Sequence, residues 1–238
     1  MKTINILMDT NVIIYKIMAF AAILLLGSSI CFAQEISIRG GFNLSQFWLE
    51  YDDVVGSAPG ARQNPGFNIG PILDLPVTKL FSFETGLLFT SKGHKSSVEL
   101  NGAIIEGRRN LFYLEVPVLC KITVPLKRVG IFAMAGPYFG EALYGKHKEE
   151  ITENSVLVNK WEGNIKWGDE SYEYDRFDYG LKLGAGLRYD NWQMGACYEL
   201  GLKNFSNMNQ PPSPVSINNR VLEFYILYTL TDLKSNKK

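Results

Sequence analysis

The amino-acid sequence predicts an all-β fold, an eight-stranded antiparallel transmembrane up-and-down β-barrel. Apolar and polar residues alternate along eight segments, each long enough to cross a bilayer as a tilted strand of about ten residues. The connections between these segments are alternately long and short. No segment of comparable length shows the period of about 3.6 residues that indicates an amphipathic helix.

Each predicted strand carries apolar side chains on one face and polar side chains on the other. The sixth is the clearest, because Leu181 and Leu183 alternate with Lys182 and Gly184. The fifth is apolar on both faces, so its pattern leaves the register open. In chain order, the alternating segments are residues 36–45, 67–77, 83–92, 112–122, 129–143, 176–189, 192–203 and 222–230.

The lengths of the connections favour a barrel in the outer membrane. Outer-membrane barrels have short periplasmic turns, long outer loops and an even number of strands, which places both termini in the periplasm. We therefore expect an outer-membrane location, with outer-membrane lipid around the strands. Short turns are predicted at residues 78–79, 125–128 and 190–191, and long polar loops at 48–65, 93–110, 144–175 and 204–219.

The N-terminus has the organisation of a secretory signal peptide. A lysine precedes a short apolar run that ends at Ile30, and Ala33 offers the small residue that signal peptidase recognises. The run is too short for a transmembrane anchor, which needs roughly 20 apolar residues. Lipidation at Cys31 is an alternative, although Ile30 is bulky for that signal. We expect residues 1–33 to be a signal peptide and residues 34–238 to form the barrel domain.

The composition excludes several other classes of protein. The 238 residues carry 24 Lys and Arg against 24 Asp and Glu, and 46% are hydrophobic. Balanced charge argues against a nucleic-acid partner, and the apolar fraction is too high for a disordered chain. Two histidines and three cysteines make a metal site or a disulfide framework unexpected. No cofactor motif is present, so we predict no cofactor and no metal.

Alternation alone does not decide which face of the strands meets lipid. A soluble, lipocalin-like barrel has the same period with its apolar face inward. Two features favour lipid contact. Glycines such as Gly180 and Gly184 lie on the polar faces, where they make room for long side chains in a narrow lumen. Aromatic residues such as Phe112, Tyr189 and Trp192 lie near strand ends, as in interfacial girdles, although aromatic residues also favour strands in general.

If the polar faces point inward, charged residues of both signs line the lumen. Buried charges must be paired, so the first interpretation is a structural network of salt bridges. The alternative is a gated path for a solute. Eight strands enclose a space that side chains fill, which argues against a general porin. The predicted lumen residues are Arg39, Asp74, Glu84, Lys92, Glu115, Lys121, Arg176, Asp178, Lys182, Arg188, Glu199, Lys203 and Glu223, with Glu141 expected beside them.

A catalytic site is not predicted. His94 lies near Ser91 and Glu99, which supplies the residue types of a nucleophile, base and acid. Such local proximity is common at the start of a polar loop, so we expect no enzymatic activity. Cys120 and Cys197 fall on opposite faces of their strands, and a disulfide between them is therefore not expected.

The long loop at residues 144–175 is the best candidate for a contact surface. It carries Trp161, Trp167, Tyr172 and Tyr174 among many charges, and exposed aromatic residues are common in binding surfaces. The alternative is a hairpin at residues 156–167 that extends strands five and six above the membrane. Either arrangement offers protein partners an extracellular contact.

Five stretches of the chain, taken in order, resemble the PorT-like outer-membrane β-barrel proteins of Bacteroidota. They are residues 40–45 (GGFNLS), 86–93 (GLLFTSKG), 113–121 (YLEVPVLCK), 135–140 (AGPYFG) and 177–186 (FDYGLKLGAG). The resemblance implies an outer-membrane barrel without enzymatic activity, in a family whose founding member is tied to protein secretion.

The sequence therefore predicts a monomeric, non-enzymatic outer-membrane protein with a structural or interaction role. A link to protein secretion is implied by the resemblance alone. The alternative is a narrow passage or a binding barrel for a small solute or an apolar ligand.

Overall fold

The computed structural model describes residues 35–51, 54–57, 60–168, 173–205 and 216–232, so the predicted signal peptide lies outside the described residues. Within these ranges no helix is long and apolar enough to cross a bilayer. The strands are β1 (Glu35–Tyr51), β2 (Val54–Ser57), β3 (Ala61–Arg62), β4 (Asn64–Pro76), β5 (Phe81–Gly86), β6 (Leu88–Leu100), β7 (Ala103–Leu126), β8 (Val129–Glu153), β9 (Val156–Asn164), β10 (Phe177–Tyr189), β11 (Trp192–Gly201) and β12 (Ser216–Asp232).

The strands close into an antiparallel ring. β1 pairs with β12 on one side and with β4 on the other, and the remaining neighbours follow in the order β4, β5 with β6, β7, β8, β10, β11 and β12. β5 and β6 share one position in the ring, because only Leu87 separates them and its N–H donates to the Pro71 carbonyl at 3.1 Å. The predicted eight-stranded barrel is confirmed.

Exposed apolar and buried polar side chains alternate along the ring strands, as the sequence predicts. On β10, Leu183 is 57% exposed on the outside, whereas the neighbouring Lys182 is fully buried. On β8, Ile131 and Phe139 are exposed, and Phe132 is buried inside. β8 is apolar on both faces because its inner side chains pack in the lumen.

Two of the predicted long loops are largely strand. Residues 93–110 belong to the β6–β7 hairpin, which turns at Asn101 and Gly102, and residues 144–164 belong to the β8–β9 hairpin, which turns at Asn154 and Ser155. All four turn residues have positive φ, as two-residue hairpin turns require. Both faces of these extensions lie outside the bilayer. They mix polar residues with exposed apolar residues such as Ile104 and Val156, and they lack the alternation that marks the ring.

The alternative prediction of a hairpin at residues 156–167 is met in part, because the hairpin forms between β8 and β9, with β9 at Val156–Asn164. β9 pairs with β8 from Lys146 to Glu153, but it makes no pairing with β10. The hairpin therefore extends only β8, which corresponds to the fifth predicted strand, and it does not extend the sixth, which corresponds to β10. The predicted short turns do lie between β4 and β5, β7 and β8, and β10 and β11.

Candidate functional site

The middle of the lumen holds a network of seven buried charged side chains, which point inward from six strands. The Nζ atom of Lys182 lies 2.7 Å from Glu115 Oε1 and 3.2 Å from Glu223 Oε2. The Nζ atom of Lys92 lies 2.6 Å from Glu115 Oε2. We call this set the central charge network. Its members are Arg39, Lys92, Glu115, Asp178, Lys182, Glu199 and Glu223, all fully buried.

Aromatic rings complete the surroundings of the buried cations. Lys92 Nζ lies 4.2 Å from the centroid of the Tyr138 ring, and the Arg39 guanidinium lies 3.9 Å from that of Tyr225. The negative face of an aromatic ring attracts a cation, more strongly where water is excluded. The rings therefore help to offset the cost of burying these charges.

Three carboxylates of the network have the spacing of a metal site. Oxygen atoms of Glu115, Glu199 and Glu223 lie within 4.8 Å of one another. All three carboxylates also contact Lys182 Nζ, which supplies positive charge at their centre. The arrangement therefore fits a salt-bridge network better than a cation site.

A second group of charges lies nearer the periplasmic end, and we call it the inner charge cluster. The ammonium of Lys121 lies 2.8 Å from Asp74 Oδ2 and 2.9 Å from Glu84 Oε2, and it donates to Gln193 Oε1 at 2.7 Å. All four side chains are buried. One lysine thus bridges two carboxylates from β4 and β5.

Apolar layers separate and cover the two charged groups. Along β7, from its outer to its inner part, Leu111 is followed by Glu115, Leu119 and Lys121, which belong to four successive layers. The outer apolar cluster consists of Phe47, Leu111, Tyr113, Ala142, Ile165, Tyr174, Phe205 and Ile217. The inner apolar cluster consists of Ile72, Leu88, Leu119, Phe132, Met134, Cys197, Tyr225 and Leu227.

Aromatic side chains form a continuous band on the outside of the ring, where the extensions begin. The ring centroids of Phe67 and Phe89 lie 5.7 Å apart, those of Phe89 and Phe112 6.0 Å apart, and those of Phe112 and Tyr144 4.3 Å apart. We call these four residues the outer aromatic band. Such a band marks a membrane interface in outer-membrane barrels.

A family model described as an outer membrane protein beta-barrel domain matches residues 32–207. The chain belongs to this outer-membrane β-barrel family. An outer-membrane location, predicted from the order of the connections, is consistent with this membership. Among curated proteins, no sequence match is found.

The chain is also similar to solved structures of outer-membrane proteins. Ail, the attachment invasion locus protein of Yersinia pestis, is 17% identical, with 83% of this chain and 100% of that chain covered and a TM-score of 0.35. OprG from Pseudomonas aeruginosa is 12% identical, with 83% and 96% covered and a TM-score of 0.42. LpxR from Salmonella typhimurium is 8% identical, with 83% and 99% covered and a TM-score of 0.23. Similarity at this level carries no argument about function.

Most of the residues that the sequence assigned to the lumen lie in the two charged groups. The three others lie towards the ends of the barrel. Arg188 pairs with Glu35 at 2.9 Å, Lys203 pairs with Asp175 at 2.8 Å, and Arg176 donates to the Ala142 carbonyl at 3.3 Å. The ten residues in the charged groups are Arg39, Asp74, Glu84, Lys92, Glu115, Lys121, Asp178, Lys182, Glu199 and Glu223.

One lumen expectation was wrong, and one member of the inner charge cluster, Gln193, was missed. Glu141 pairs across the strands with Phe177 and Leu114 and shares their outward face, so it does not line the lumen. Because β8 is apolar on both faces, its sequence did not indicate which side Glu141 would take. Gln193 was missed because an uncharged amide does not stand out, although it lies on the polar face of β11.

The aromatic residues of the loop at 144–175 divide between two environments. Trp161 lies on β9 and is 47% exposed. Tyr174 is buried in the outer apolar cluster, and Trp167 packs against the same cluster. Tyr174 is therefore not an exposed contact, and Trp167 is only partly exposed, because both pack over the apolar outer end of the lumen. Tyr172 lies outside the described residues.

His94 takes part in packing rather than in a catalytic arrangement. It lies on β6 beyond the outer aromatic band, is buried, and stacks on Phe47 with ring centroids 5.2 Å apart. Burial, together with the nearby charge of Arg109, lowers the pKa of His94 to about 4. Its Nδ1 atom has no hydrogen-bond partner among the described residues. Cys120 is exposed and Cys197 is buried, and both are free thiols.

Proposed function

We propose that this protein is a monomeric, non-enzymatic outer-membrane barrel that presents an extracellular sheet to a protein partner. The extracellular sheet consists of β3, β9 and the parts of β6, β7 and β8 that extend beyond the outer aromatic band, at residues 93–110 and 144–153. The observation that carries this proposal is the free edge of β9.

β9 is an edge strand with exposed apolar side chains. It pairs with β8 on one side, and no strand in the described part of the chain pairs with its other side. Val156, Val158 and Trp161 are 65%, 58% and 47% exposed. Unpaired N–H and C=O groups on such an edge can bind another strand, and proteins usually prevent this with charges or prolines. The charges of β9, Lys160 and Glu162, are confined to its second half and pair with each other. An extended segment of a partner could add to this edge by β-augmentation.

The lumen supports a scaffold better than a passage. Two apolar clusters and two charged groups fill its length within the described residues. A cavity of about 310 Å³ at the periplasmic end includes Asp74 of the inner charge cluster in its lining. A passage for a small solute would require these layers to separate. We therefore expect no conductance in planar bilayers, and stable conductance would favour the alternative.

Two finer hypotheses accompany this proposal. The resemblance to PorT-like proteins suggests that the partner acts in protein secretion, and comparing the proteins secreted by cells with and without this chain tests that role. We also propose that residues 1–33 direct export and are removed after Ala33. The mass of the purified protein checks this cleavage, because the mature chain would begin at Gln34.

Site-specific photocrosslinking in living cells tests the partner role. A photoreactive residue replaces Trp161, and crosslinked products are identified by mass spectrometry. Val158→Lys places a charge on the free edge, and we expect it to abolish the crosslink. The matched control is Ile104→Lys, because Ile104 is also exposed but lies on β7, which has partners on both sides. Crosslinks that survive Val158→Lys, or a crosslink to a second copy of this chain, would contradict the proposal.

A further inference from the structure

Four cations from neighbouring strands lie side by side across the extracellular sheet. Arg62 is directly opposite Lys95, Lys95 is opposite Arg108, and Arg108 is opposite Lys148. Lys146 lies two residues nearer the membrane, opposite Asn110. We call these five residues the basic row.

We propose that the basic row binds anionic, phosphate-bearing lipid headgroups of the outer leaflet. The argument depends on which face the row occupies, on its lack of carboxylate partners, and on its height above the outer aromatic band.

The basic row lies on the same outward face as the outer aromatic band. Lys92 is buried in the lumen, so alternation places Lys95, three residues further along β6, on the outside. Leu111 is likewise buried inside, which places Phe112 and Arg108 outside. Directly opposite residues in an antiparallel sheet share a face. Arg62, opposite Lys95, therefore also lies on the outside, and so do the two lysines of β8, which are opposite Arg108 and Asn110. A lipid packed against the band would therefore lie beneath the row.

Most cations of the row have no carboxylate partner. Among the described residues, no carboxylate oxygen lies within 4.0 Å of the charged groups of Arg62, Lys95, Arg108 or Lys146. Lys148 is the exception, since it pairs with Glu150 at 2.8 Å. Like charges directly opposite each other destabilise a sheet. A bound anion would relieve that repulsion.

Most cations elsewhere at the outer end of the barrel are partnered, although Lys166 has no carboxylate partner among the described residues. Arg109 pairs with Glu149 at 3.6 Å, and Lys203 pairs with Asp175 at 2.8 Å. Arg220 donates to the Gly201 carbonyl at 2.7 Å. The contrast sets the basic row apart from ordinary surface charge.

Two asparagines hold the guanidinium of Arg108 in place. Its Nε donates to Asn64 Oδ1 at 2.8 Å and to Asn110 Oδ1 at 3.3 Å, and Asn64 donates to Asn110 at 2.8 Å. No described residue accepts a hydrogen bond from its two terminal nitrogens. A guanidinium fixed in this way can bind phosphate with two parallel hydrogen bonds. Arg108, Lys146 and Lys148 line a cleft of about 410 Å³, together with one carboxylate, that of Glu162. Lys160 pairs with Glu162 at 2.8 Å, so three cations of the row face the cleft against one carboxylate that already has a partner.

The height of the row matches the headgroup region. Lys146 is two residues from Tyr144, and Arg108 is four residues from Phe112. With a rise of about 3.4 Å per residue and strands tilted by about 40°, these cations lie roughly 5 and 10 Å beyond the band. Lipid headgroups occupy this depth, and basic residues there attract anionic lipids. A soluble polyanion would not require this position.

Lipid retention in nanodiscs tests the proposal with the full mature chain. The nanodiscs contain equal parts of phosphatidylglycerol and phosphatidylcholine, and native mass spectrometry counts the phosphatidylglycerol molecules that stay bound to the released protein. Lys95→Gln with Arg108→Gln should weaken phosphatidylglycerol binding by roughly 30-fold, given the usual contribution of each of two cations near an anionic surface. Lys95→Arg with Arg108→Lys keeps both charges and should retain most of the binding.

The matched control is Lys166→Gln with Lys203→Gln, which removes two cations at the outer end of the barrel that lie outside the row and do not line its cleft. Heat-modifiable migration in SDS gels establishes that every variant is folded. Equal loss of phosphatidylglycerol in the control and in the row variant would overturn the proposal. A second result would also overturn the proposal: the row variant retains as much phosphatidylglycerol as the wild type but, in phosphatidylcholine nanodiscs, binds inorganic polyphosphate more weakly. The ligand of the row would then be a soluble polyanion.

Discussion

Lys182 Nζ and Glu115 Oε1 lie 2.7 Å apart, although their strands, β10 and β7, are not neighbours in the ring. β8 lies between them and pairs with both. The contact therefore crosses the lumen and joins two strands that share no backbone hydrogen bonds. Both side chains are fully buried, so their charges must be compensated within the lumen, by this contact and by the other members of the central charge network.

Replacing Lys182 by methionine should destabilise the barrel by about 3–5 kcal/mol, because three buried carboxylates lose a shared cation. Urea unfolding in lipid vesicles measures the change in the free energy of unfolding. Adding Glu199→Gln to this variant should restore part of the loss by removing one uncompensated charge. Lys160→Met, at an exposed position of β9, is the control. Equal stability of the two methionine variants would contradict a structural role for the network.

Leu183→Arg should cost about 2–4 kcal/mol, because it places a charge on the lipid face of β10. Leu157→Arg is a matched control, since Leu157 is similarly exposed, at 54% against 57%, but lies on the extracellular sheet. Assembly into the outer-membrane fraction and the free energy of unfolding are measured for both. Normal assembly of Leu183→Arg would show that this face does not meet lipid.

Gly180→Ala should destabilise the barrel by about 1–3 kcal/mol through overpacking. An added Cβ would lie 2.1 Å from the Leu200 carbonyl oxygen and 2.8 Å from the Tyr138 ring. Gly40→Ala is the matched control, because nothing lies within 4 Å of a Cβ there. Thermal unfolding in detergent compares the two variants. A smaller loss for Gly180→Ala than for Gly40→Ala would be inconsistent with a tightly filled lumen.

Acidification should destabilise the outer end of the barrel through His94. Its pKa is lowered to about 4 in the folded protein, from an ordinary value of 6.5, by burial and by Arg109. The unfolded chain therefore binds a proton first as pH falls, and stability is lost between about pH 6.5 and pH 4. His94→Phe keeps the stacking on Phe47 but does not titrate.

At about pH 5 the wild-type chain should lose roughly 1–2 kcal/mol more stability than His94→Phe, relative to neutral pH. Urea unfolding of both proteins at the two pH values measures this difference. The contributions of the other titrating groups cancel, because the two proteins differ only at residue 94. Parallel pH profiles for the two proteins would show that His94 does not contribute.

How far the sequence predicts the structure depends on whether a strand has two different environments. β10 faces lipid on one side and the lumen on the other, so the alternation of Leu183 and Lys182 indicates both its type and its orientation. β9 has water on both sides, and the sequence gives no comparable signal. β8 packs apolar side chains on both faces, which is why the side taken by Glu141 could not be predicted.

The loop aromatics illustrate the same limit. Trp167 and Tyr174 lie in a polar stretch of sequence that is typical of an exposed loop. In the structure they cover the outer apolar cluster, whose members come from distant strands. That apolar surface exists only once the ring has closed, so nothing local in the sequence indicates it.

The sequence by itself determined the number of ring strands, the short turns and, for every ring strand except β8, which residues share a face, because a residue's position in a two-residue repeat decides its face. Only the tertiary structure decided which charges meet across the lumen and which cations form the basic row. Those contacts depend on ring closure and on the stagger between strands. Alternation predicts which face of the strand a side chain lies on, but it does not predict which residue of another strand that side chain contacts.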